Sequence, residues 1–220
     1  MRVVVNAAMS ADGKLSSRRR EQIAISGPED FDRMDALRAG SDAVMVGVGT
    51  VLADDPHLTL DGPERQSARR DRDESAHPAR VIADSKARTP TDARILDDAA
   101  TTYLLVSEAA PTERIEALAE SGARLITAGD DRVDLAGGLS ALDREGVEQL
   151  MVEGGGELIF SLFEDRLVDE LRVFVGSKII GGREAPTLAD GEGFVADFPE
   201  LELDDVARID SGVLLRYAVV

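Results

Sequence analysis

The sequence has 220 residues, a formal net charge of −18 and no cysteine. Its length suits a single domain, residues 1–220, with a sizeable core. Without cysteine, disulfides, thiolate nucleophiles, iron–sulfur clusters and cysteine-ligated zinc are excluded, and only His57 and His77 are present to build a histidine site. We therefore expect no metal, although a carboxylate-only Mg²⁺ site without a motif stays open. The negative charge argues against nucleic acids and anionic membranes as partners.

The N-terminus shows no signal-peptide pattern, and no apolar run is long enough for a membrane span, so we expect a cytoplasmic protein. The acidic residues number 43, whereas lysine occurs only at Lys14, Lys86 and Lys178. Such a composition indicates an organism that lives in high salt, where repulsion between charges is screened. An ordinary acidic protein from a GC-rich genome is the alternative.

Hydrophobic periodicity predicts strands alternating with helices, and an antiparallel hairpin around the turn signal at 210–212. We predict strands at 2–9, 43–47, 80–84, 102–106, 124–127, 150–152, 169–182, 201–209 and 213–220. We predict further helices at 111–122, at 135–146 and from 158 to about 167. This order predicts an α/β fold, with a mixed, mostly parallel sheet and helices on both faces.

The first helix has a recognisable start. Ser26 as N-cap and Glu29 as its capping-box partner predict a helix that ends at Gly40. Its inner face is expected to carry Phe31, Met34 and Leu37. The segments 16–22 and 61–78 are predicted to be loops, the second one a mobile surface loop.

The segment 150–163 is the most informative part of the chain. A short apolar run ends at Glu153, three glycines follow, and an amphipathic pattern resumes at Leu158. A strand followed by a glycine turn and the N-terminus of a helix can bind a phosphate at the turn. No Cβ blocks the approach there, and the first N–H groups of the helix are free to donate. A plain tight turn is the alternative.

Two other strand ends carry polar residues. Thr50 and Asp54 lie four apart after the second strand, so on a helix they share a face and can hold a cofactor; an N-cap with a solvated Asp explains them equally well. Ser85, Lys86 and Arg88 follow the third strand, where Ser, Lys and Arg suit a phosphate.

Five motifs follow one another along the chain: NAAMSADGK at 6–14, VGVGTVLADDP at 46–56, DSK at 84–86, EGGG at 153–156 and KIIGG at 178–182. In this order they resemble the motifs of the riboflavin-biosynthesis reductases, and among these the stand-alone archaeal enzymes. The resemblance covers essentially the whole chain. Bacterial bifunctional relatives carry a tryptophan just before Ile25, where this chain has Ala24.

The resemblance implies a dihydrofolate-reductase-like fold, a homodimer, and NADPH as hydride donor, with NADH possible. It implies that the ribosylamino group of 2,5-diamino-6-ribosylamino-4(3H)-pyrimidinone 5′-phosphate is reduced to ribitylamino. The cofactor performs the difficult chemistry, which agrees with a chain that lacks cysteine and nearly lacks histidine.

Residues are assigned from the resemblance by matching position. The implied cofactor-binding residues are Thr50, Asp54, Asp84, Ser85, Lys86, Ala87, Val133, Gly154, Gly155, Gly156, Glu157 and Leu158. The implied substrate-binding residues are Asn6, Asp12, Lys14, Arg38 and Glu153, with Arg38 as a partner for the phosphate. Asp12 or Glu153 is expected to assist proton transfer, if buried enough to hold a proton near neutral pH.

Three alternatives remain at this level. The enzyme could reduce the deaminated pyrimidine, or a pterin or folate on the same fold. In a different class, the chain could be a non-catalytic NADP-binding module.

Overall fold

The computed structural model describes residues 1–21 and 23–220. Position 22, the end of the loop predicted at 16–22, lies outside the described residues. Nine strands form a mixed, mostly parallel sheet, as the sequence predicts. The chain divides into two compact units, one formed by Met1 and residues 35–151, the other by residues 2–34 and 152–220. The expectation of one domain stays a prediction.

The first unit is built on parallel strands that neighbour one another in the order β5-β4-β3-β2. Val44, Met45, Val81, Ile82 and Leu104 are at most 1% exposed and form the centre of its core. Its strands are β2 (Ala43–Gly47), β3 (Ala79–Ala83), β4 (Thr102–Val106) and β5 (Arg124–Thr127). Its helices are α2 (Val48–Asp54), α3 (Pro63–Arg70), α4 (Thr112–Glu120) and α5 (Leu135–Arg144), with a 3-10 turn at Arg94–Leu96.

The second unit contains parallel and antiparallel pairs in the order β1-β7-β9-β8. β1 pairs with β7 in parallel, and β9 pairs antiparallel with both β7 and β8. The predicted C-terminal hairpin is therefore present. The elements are β1 (Arg2–Ser10), α6 (Gly156–Glu164), β7 (Glu170–Gly176), β8 (Leu201–Ile209) and β9 (Gly212–Val219). Helix α1 (Pro28–Ala39) and strand β6 (Gln149–Gly154) run from one unit into the other.

Helix α1 starts differently from the prediction. It begins at Pro28, and its first N–H groups are capped by Asp210, which accepts hydrogen bonds from the backbone N–H groups of Gly27, Glu29 and Asp30 at 3.2, 3.3 and 3.0 Å. The predicted N-cap at Ser26 is therefore wrong, because a carboxylate 180 residues further along the chain takes that role. Phe31, predicted to face inward, is 47% exposed.

Two further predictions need correction. The segment 61–78 contains helix α3, which is anchored through Arg69, a side chain only 4% exposed. Its guanidinium donates to the carbonyl oxygens of Ser75, Ala39 and Ser41 at 2.8–2.9 Å. The strand predicted to reach residue 182 ends at Gly176, and residues 177–200 form a long connection without helix or ladder strand.

Among the described residues, no helix is both long enough and apolar enough to cross a membrane. Within the same part of the chain, no three His, Asp or Glu side chains are grouped so as to hold a metal ion.

Candidate functional site

In the first unit, α2 follows β2 directly and carries Thr50 and Asp54 one helical turn apart. Val48 and Val51 fix the helix in the core, where they are 5% and 2% exposed. Asp54 lies at the surface, but the surrounding protein removes part of its solvation and raises the pKa of its carboxyl above the usual range. A Cβ at Gly49 would meet no atom within 4 Å, so there is open space beside Thr50.

The segment after β3 is held by a buried carboxylate. Asp84 is fully buried, and its Oδ2 accepts hydrogen bonds from the Thr89 N–H at 2.7 Å and the Thr89 hydroxyl at 2.8 Å. Its other oxygen, Oδ1, makes no hydrogen bond within the described chain and lies 4.0 Å from Nε of Arg88. The Asp84 side chain therefore shapes the loop from inside, a different role from lining a cofactor with its carboxylate.

The loop that Asp84 shapes also brings together Ser85, Ala87 and Val133. The Val133 N–H donates to Oγ of Ser85 at 3.0 Å. Ala87 is fully buried with φ of +51°, and Arg114 donates to its carbonyl oxygen at 2.9 Å. Because the Ala87 side chain is inaccessible, only its backbone can reach a ligand. Lys86 is exposed on the same loop.

Arg38 lies near the C-terminus of α1, in the first unit, and donates to the carbonyl oxygen of Thr59 at 3.0 Å. One turn earlier, the buried Asp35 accepts hydrogen bonds from the N–H groups of Asp61 and Gly62 at 2.9 and 3.2 Å. Together they fix the segment 59–62 against α1. Arg38 thus has a positioning contact in addition to the phosphate role implied for it.

In the second unit, Asn6 lies in β1 and is 7% exposed. Its Oδ1 accepts a hydrogen bond from Arg33 at 2.8 Å, and Arg33 is itself paired with Asp30 at 2.7 Å. The sequence analysis missed Arg33, since a basic residue in the middle of an amphipathic helix usually faces solvent.

Asp12 is an acceptor of hydrogen bonds, and this corrects one predicted role. It accepts from the Ser10 hydroxyl at 2.6 Å and from the N–H groups of Ile180 and Gly181 at 3.0 and 2.7 Å. These bonds, led by the one from Ser10, lower the pKa of Asp12 to about 2. A proton donor must hold its proton at working pH, so Asp12 is unsuited to that role and instead fastens the segment 180–181.

Lys14 also contacts the connection after β7. Its Nζ donates to the carbonyl oxygen of Ala185 at 3.1 Å, and its backbone forms an antiparallel bridge with Thr187. An ammonium has three donors, and the bond to Ala185 uses one of them. The structure therefore gives Lys14 an anchoring contact that its motif did not predict.

The predicted strand, glycine turn and helix are present at 149–164. Glu153 is half-buried in β6, Gly154 has φ of +138°, the Gly154–Gly155 peptide is cis, and Gly155 is the N-cap residue of α6. A Cβ at Gly154 would meet no atom within 4 Å, which leaves open space at the turn. Glu157 is exposed in the first turn of α6, whereas Leu158 is 7% exposed and packs inward.

The structure thus places the predicted residues in two sets. Thr50, Asp54, the 84–87 loop, Val133 and Arg38 belong to the first unit; Asn6, Asp12, Lys14, Glu153 and 154–158 belong to the second. In the first unit, the open space at Gly49 and the exposed Lys86 and Arg88 suit a phosphate-bearing ligand. In the second unit, the open space at Gly154 beside the start of α6 suits a phosphate group.

Comparison with known proteins gives a consistent result. The RibD C-terminal domain profile matches residues 1–215. The 2,5-diamino-6-ribosylamino-4(3H)-pyrimidinone 5′-phosphate reductase of Archaeoglobus fulgidus is 46% identical over 210 residues, which cover 96% of this chain and 94% of that protein. The reductase of the same name from Methanothermobacter thermautotrophicus is 44% identical, with 99% and 97% covered. The solved structure of RibD from Acinetobacter baumannii matches with a TM-score of 0.80 and 25% identity, covering all of this chain and 58% of that one.

Proposed function

Since the chain belongs to the RibD C-terminal domain family, we propose that it catalyses the NADPH-dependent reduction of 2,5-diamino-6-ribosylamino-4(3H)-pyrimidinone 5′-phosphate in riboflavin biosynthesis. The product is the corresponding ribitylamino compound. One observation carries the proposal: two reductases of this name are 46% and 44% identical along nearly the full length of both chains. Substrate identity follows such full-length similarity better than it follows fold.

For the cofactor, we propose NADPH. Bound NADPH supplies the hydride for C1′ of the opened sugar. Thr50 and Asp54 offer a hydroxyl and a carboxylate for its amide or sugar groups. Backbone N–H groups at 154–158, at the start of α6, suit its pyrophosphate. The exposed Lys86 and Arg88 suit a 2′-phosphate, which favours NADPH over NADH.

For the substrate, we propose contacts from Asn6, Lys14, Arg38 and Glu153. Arg38 is assigned to the 5′-phosphate, because a guanidinium presents a fork of donors that matches phosphate oxygens. The ammonium of Lys14 has three donors, one of which is bonded to the Ala185 carbonyl oxygen. Asp12 is assigned an indirect role, through the segment 180–181 that it fastens.

The proton needed when the opened sugar is reduced is assigned to the carboxyl group of Glu153. Glu153 is half-buried at the carboxyl end of β6, next to the glycine turn. A carboxyl group at that edge of a parallel strand is placed where α/β folds bind ligands. Asp12, with its pKa of about 2, is left out of this step.

We also propose a homodimer in the cytoplasm of an organism that lives in high salt. Leu201, Leu203 and Val206 of β8 are 40%, 52% and 55% exposed, which is unusual for an isolated surface strand and suits contact with a second copy. The charge of −18 with only three lysines suits a protein dissolved in concentrated salt.

The substrate assignment is tested by following NADPH oxidation in molar KCl. The diamino ribosylaminopyrimidinone phosphate is compared with its deaminated counterpart and with dihydrofolate. We expect turnover with the diamino compound alone. Turnover confined to the deaminated compound or to dihydrofolate would replace the substrate and keep the cofactor. NADPH binding without turnover of any of the three would favour a non-catalytic module.

The proton assignment is tested with Glu153→Gln. We expect kcat to fall by roughly 100-fold or more, the usual contribution of a positioned proton donor, with the Kd for NADPH unchanged. Glu148→Gln, which alters an exposed acid just before β6, is the matched control. A kcat for Glu153→Gln equal to that of the control would remove Glu153 from the mechanism.

A further inference from the structure

The connection between β7 and β8 contains a short segment that contacts both predicted ligand-binding turns of the second unit. We call residues 185–190 the strap. At one end it lies beside the Asp12–Lys14 turn, where the Leu15 N–H donates to the carbonyl oxygen of Pro186 at 2.9 Å and Lys14 bridges Thr187. Ala185, where Nζ of Lys14 is bound, is only 3% exposed. The strap is therefore fixed to the substrate-side turn by main-chain and side-chain bonds.

The other end of the strap lies on the first turn of α6. The Asp190 N–H donates to the carbonyl oxygen of Gly156 at 3.0 Å. A Cβ added at Gly156 would lie 2.4 Å from the carbonyl oxygen of Thr187 and 2.8 Å from Oδ2 of Asp190. No residue larger than glycine fits there unless the strap moves, so the strap and the glycine turn are packed in direct contact.

The strap is closed internally by Thr187 and Asp190. The Asp190 carboxylate accepts from the Thr187 N–H at 3.0 Å and from its hydroxyl at 2.5 Å. This small ring sets the curvature that brings both the Thr187 carbonyl oxygen and the Asp190 N–H to Gly156. Neither side chain is needed for the packing of a hydrophobic core, as both are only half-buried.

From these contacts we propose that Thr187 and Asp190 are positioning residues, which hold the glycine turn at 154–156 in the shape that binds the cofactor pyrophosphate and link it to the Asp12–Lys14 turn. The proposal rests on the proposed function for the identity of the cofactor. The strap makes the cofactor turn rigid before binding, so that less ordering is required when the pyrophosphate arrives. Loss of the strap bonds then weakens cofactor binding more than substrate binding.

The first test measures NADPH binding by calorimetry with Thr187→Val and Asp190→Asn. Molar KCl in the buffer screens the change of charge in the second variant. We expect the Kd for NADPH to rise roughly tenfold in each, the usual effect of losing a hydrogen bond to a charged group. The KM for the pyrimidine should change less than the Kd for NADPH. Glu192→Gln removes an exposed charge two residues beyond the strap and should bind NADPH like the wild type.

The second test needs no cofactor. Hydrogen–deuterium exchange of the free protein should speed up at residues 154–158 and at 12–15 in Thr187→Val and Asp190→Asn, and stay unchanged in Glu192→Gln. Unchanged exchange at both segments overturns the proposal that the strap holds the two turns in place. Faster exchange with an unchanged Kd for NADPH overturns the role of the strap in cofactor binding. The same conclusion follows if the variants lose affinity equally for NADPH and for the pyrimidine and also have a lowered Tm. A wild-type protein that binds no NADPH contradicts the proposed function instead.

Discussion

The two units fasten their ligand-binding segments in different ways. In the first unit, the loop at 84–89 is held by Asp84, whose carboxylate is fully buried and bonded to Thr89 within the same loop. In the second unit, the fastening carboxylates are Asp12, Asp190 and Asp210, all at or near the surface. Asp12 and Asp210 bind backbone N–H groups from about 170 or 180 residues away. The first arrangement ties the shape of the loop to the stability of the core. In the second arrangement, a change of shape should cost less stability.

The largest effect on stability is expected at the buried anchor. Asp84→Ala leaves the Thr89 N–H buried without a partner, which costs about 3 kcal/mol and lowers Tm by about 6–12 °C in a protein of this size. Asp84→Asn keeps one acceptor oxygen and should lose less. Calorimetric melting measures both, with the exposed Asp92→Ala as control. Equal Tm values for Asp84→Ala and the control would show that the loop at 84–89 does not depend on the buried carboxylate, and the difference proposed between the two units would be wrong.

A smaller loss is expected at the cap of α1. Asp210→Ala removes the acceptor for three N–H groups, and an N-cap is worth about 1–2 kcal/mol, so Tm should fall by about 3–6 °C. Asp205→Ala alters an exposed acid on β8 of the same hairpin and should leave Tm nearly unchanged. If both substitutions lower Tm equally, the loss comes from the hairpin and not from the cap.

Asp12→Asn tests a surface carboxylate of the second unit. The substitution should weaken substrate binding without slowing the chemical step. The pKa of about 2 keeps the wild-type Asp12 carboxyl charged at neutral pH, and its contribution to stability is lost only as pH falls through that value. We expect the KM for the pyrimidine to rise. We expect kcat to stay within about threefold of wild type, since loss of a proton donor lowers kcat far more than that. Steady-state kinetics measures both; a kcat reduced as strongly as in Glu153→Gln would return Asp12 to the proton-transfer step.

The smallest effect should appear as a pH dependence in the first unit. His77 accepts a hydrogen bond from the Leu60 N–H at its Nδ1, so it must be neutral there. Burial, followed by the nearby arginines, lowers the pKa of His77 below 6.5. The unfolded chain therefore binds a proton first, and stability present above pH 6.5 is lost as pH falls below that value.

The His77→Asn variant keeps an acceptor oxygen near the place of Nδ1 and removes the titration. We expect the fall in Tm between about pH 7 and pH 5 to be smaller than in the wild type. His57→Asn, which changes the other histidine, serves as control. An unchanged slope in His77→Asn would assign the pH dependence elsewhere.

The sheet was predictable because its strands are short apolar runs with clear turn signals. The mixed, mostly parallel sheet and the C-terminal hairpin are confirmed, and RibD-type structures share the fold. Helix α3 was missed because its sequence PERQSARR has no apolar stripe; its buried residue is Arg69, which is fixed by carbonyl oxygens and not by hydrophobic packing.

The contacts at the site were less predictable than the residues. The motifs pointed to Asp84, Asp12 and Lys14, but no local pattern showed that Asp84 faces inward or that Asp12 and Lys14 bind the connection after β7. Such bonds join residues about 170 positions apart, and only the folded chain brings them together. The ligand roles proposed for these residues stay predictions.

The scarcity of lysine has a practical consequence for coupling chemistry. Nζ of Lys14 is bonded to Ala185 and Nζ of Lys178 to Ala24, and the N-terminal amine is paired with Asp143. Lys86 and Lys178 are both exposed, so amine-reactive dyes or resins should attach at few places, one of which is the loop proposed for the cofactor. Immobilisation through amines would then block part of the surface that a binding sensor is meant to report.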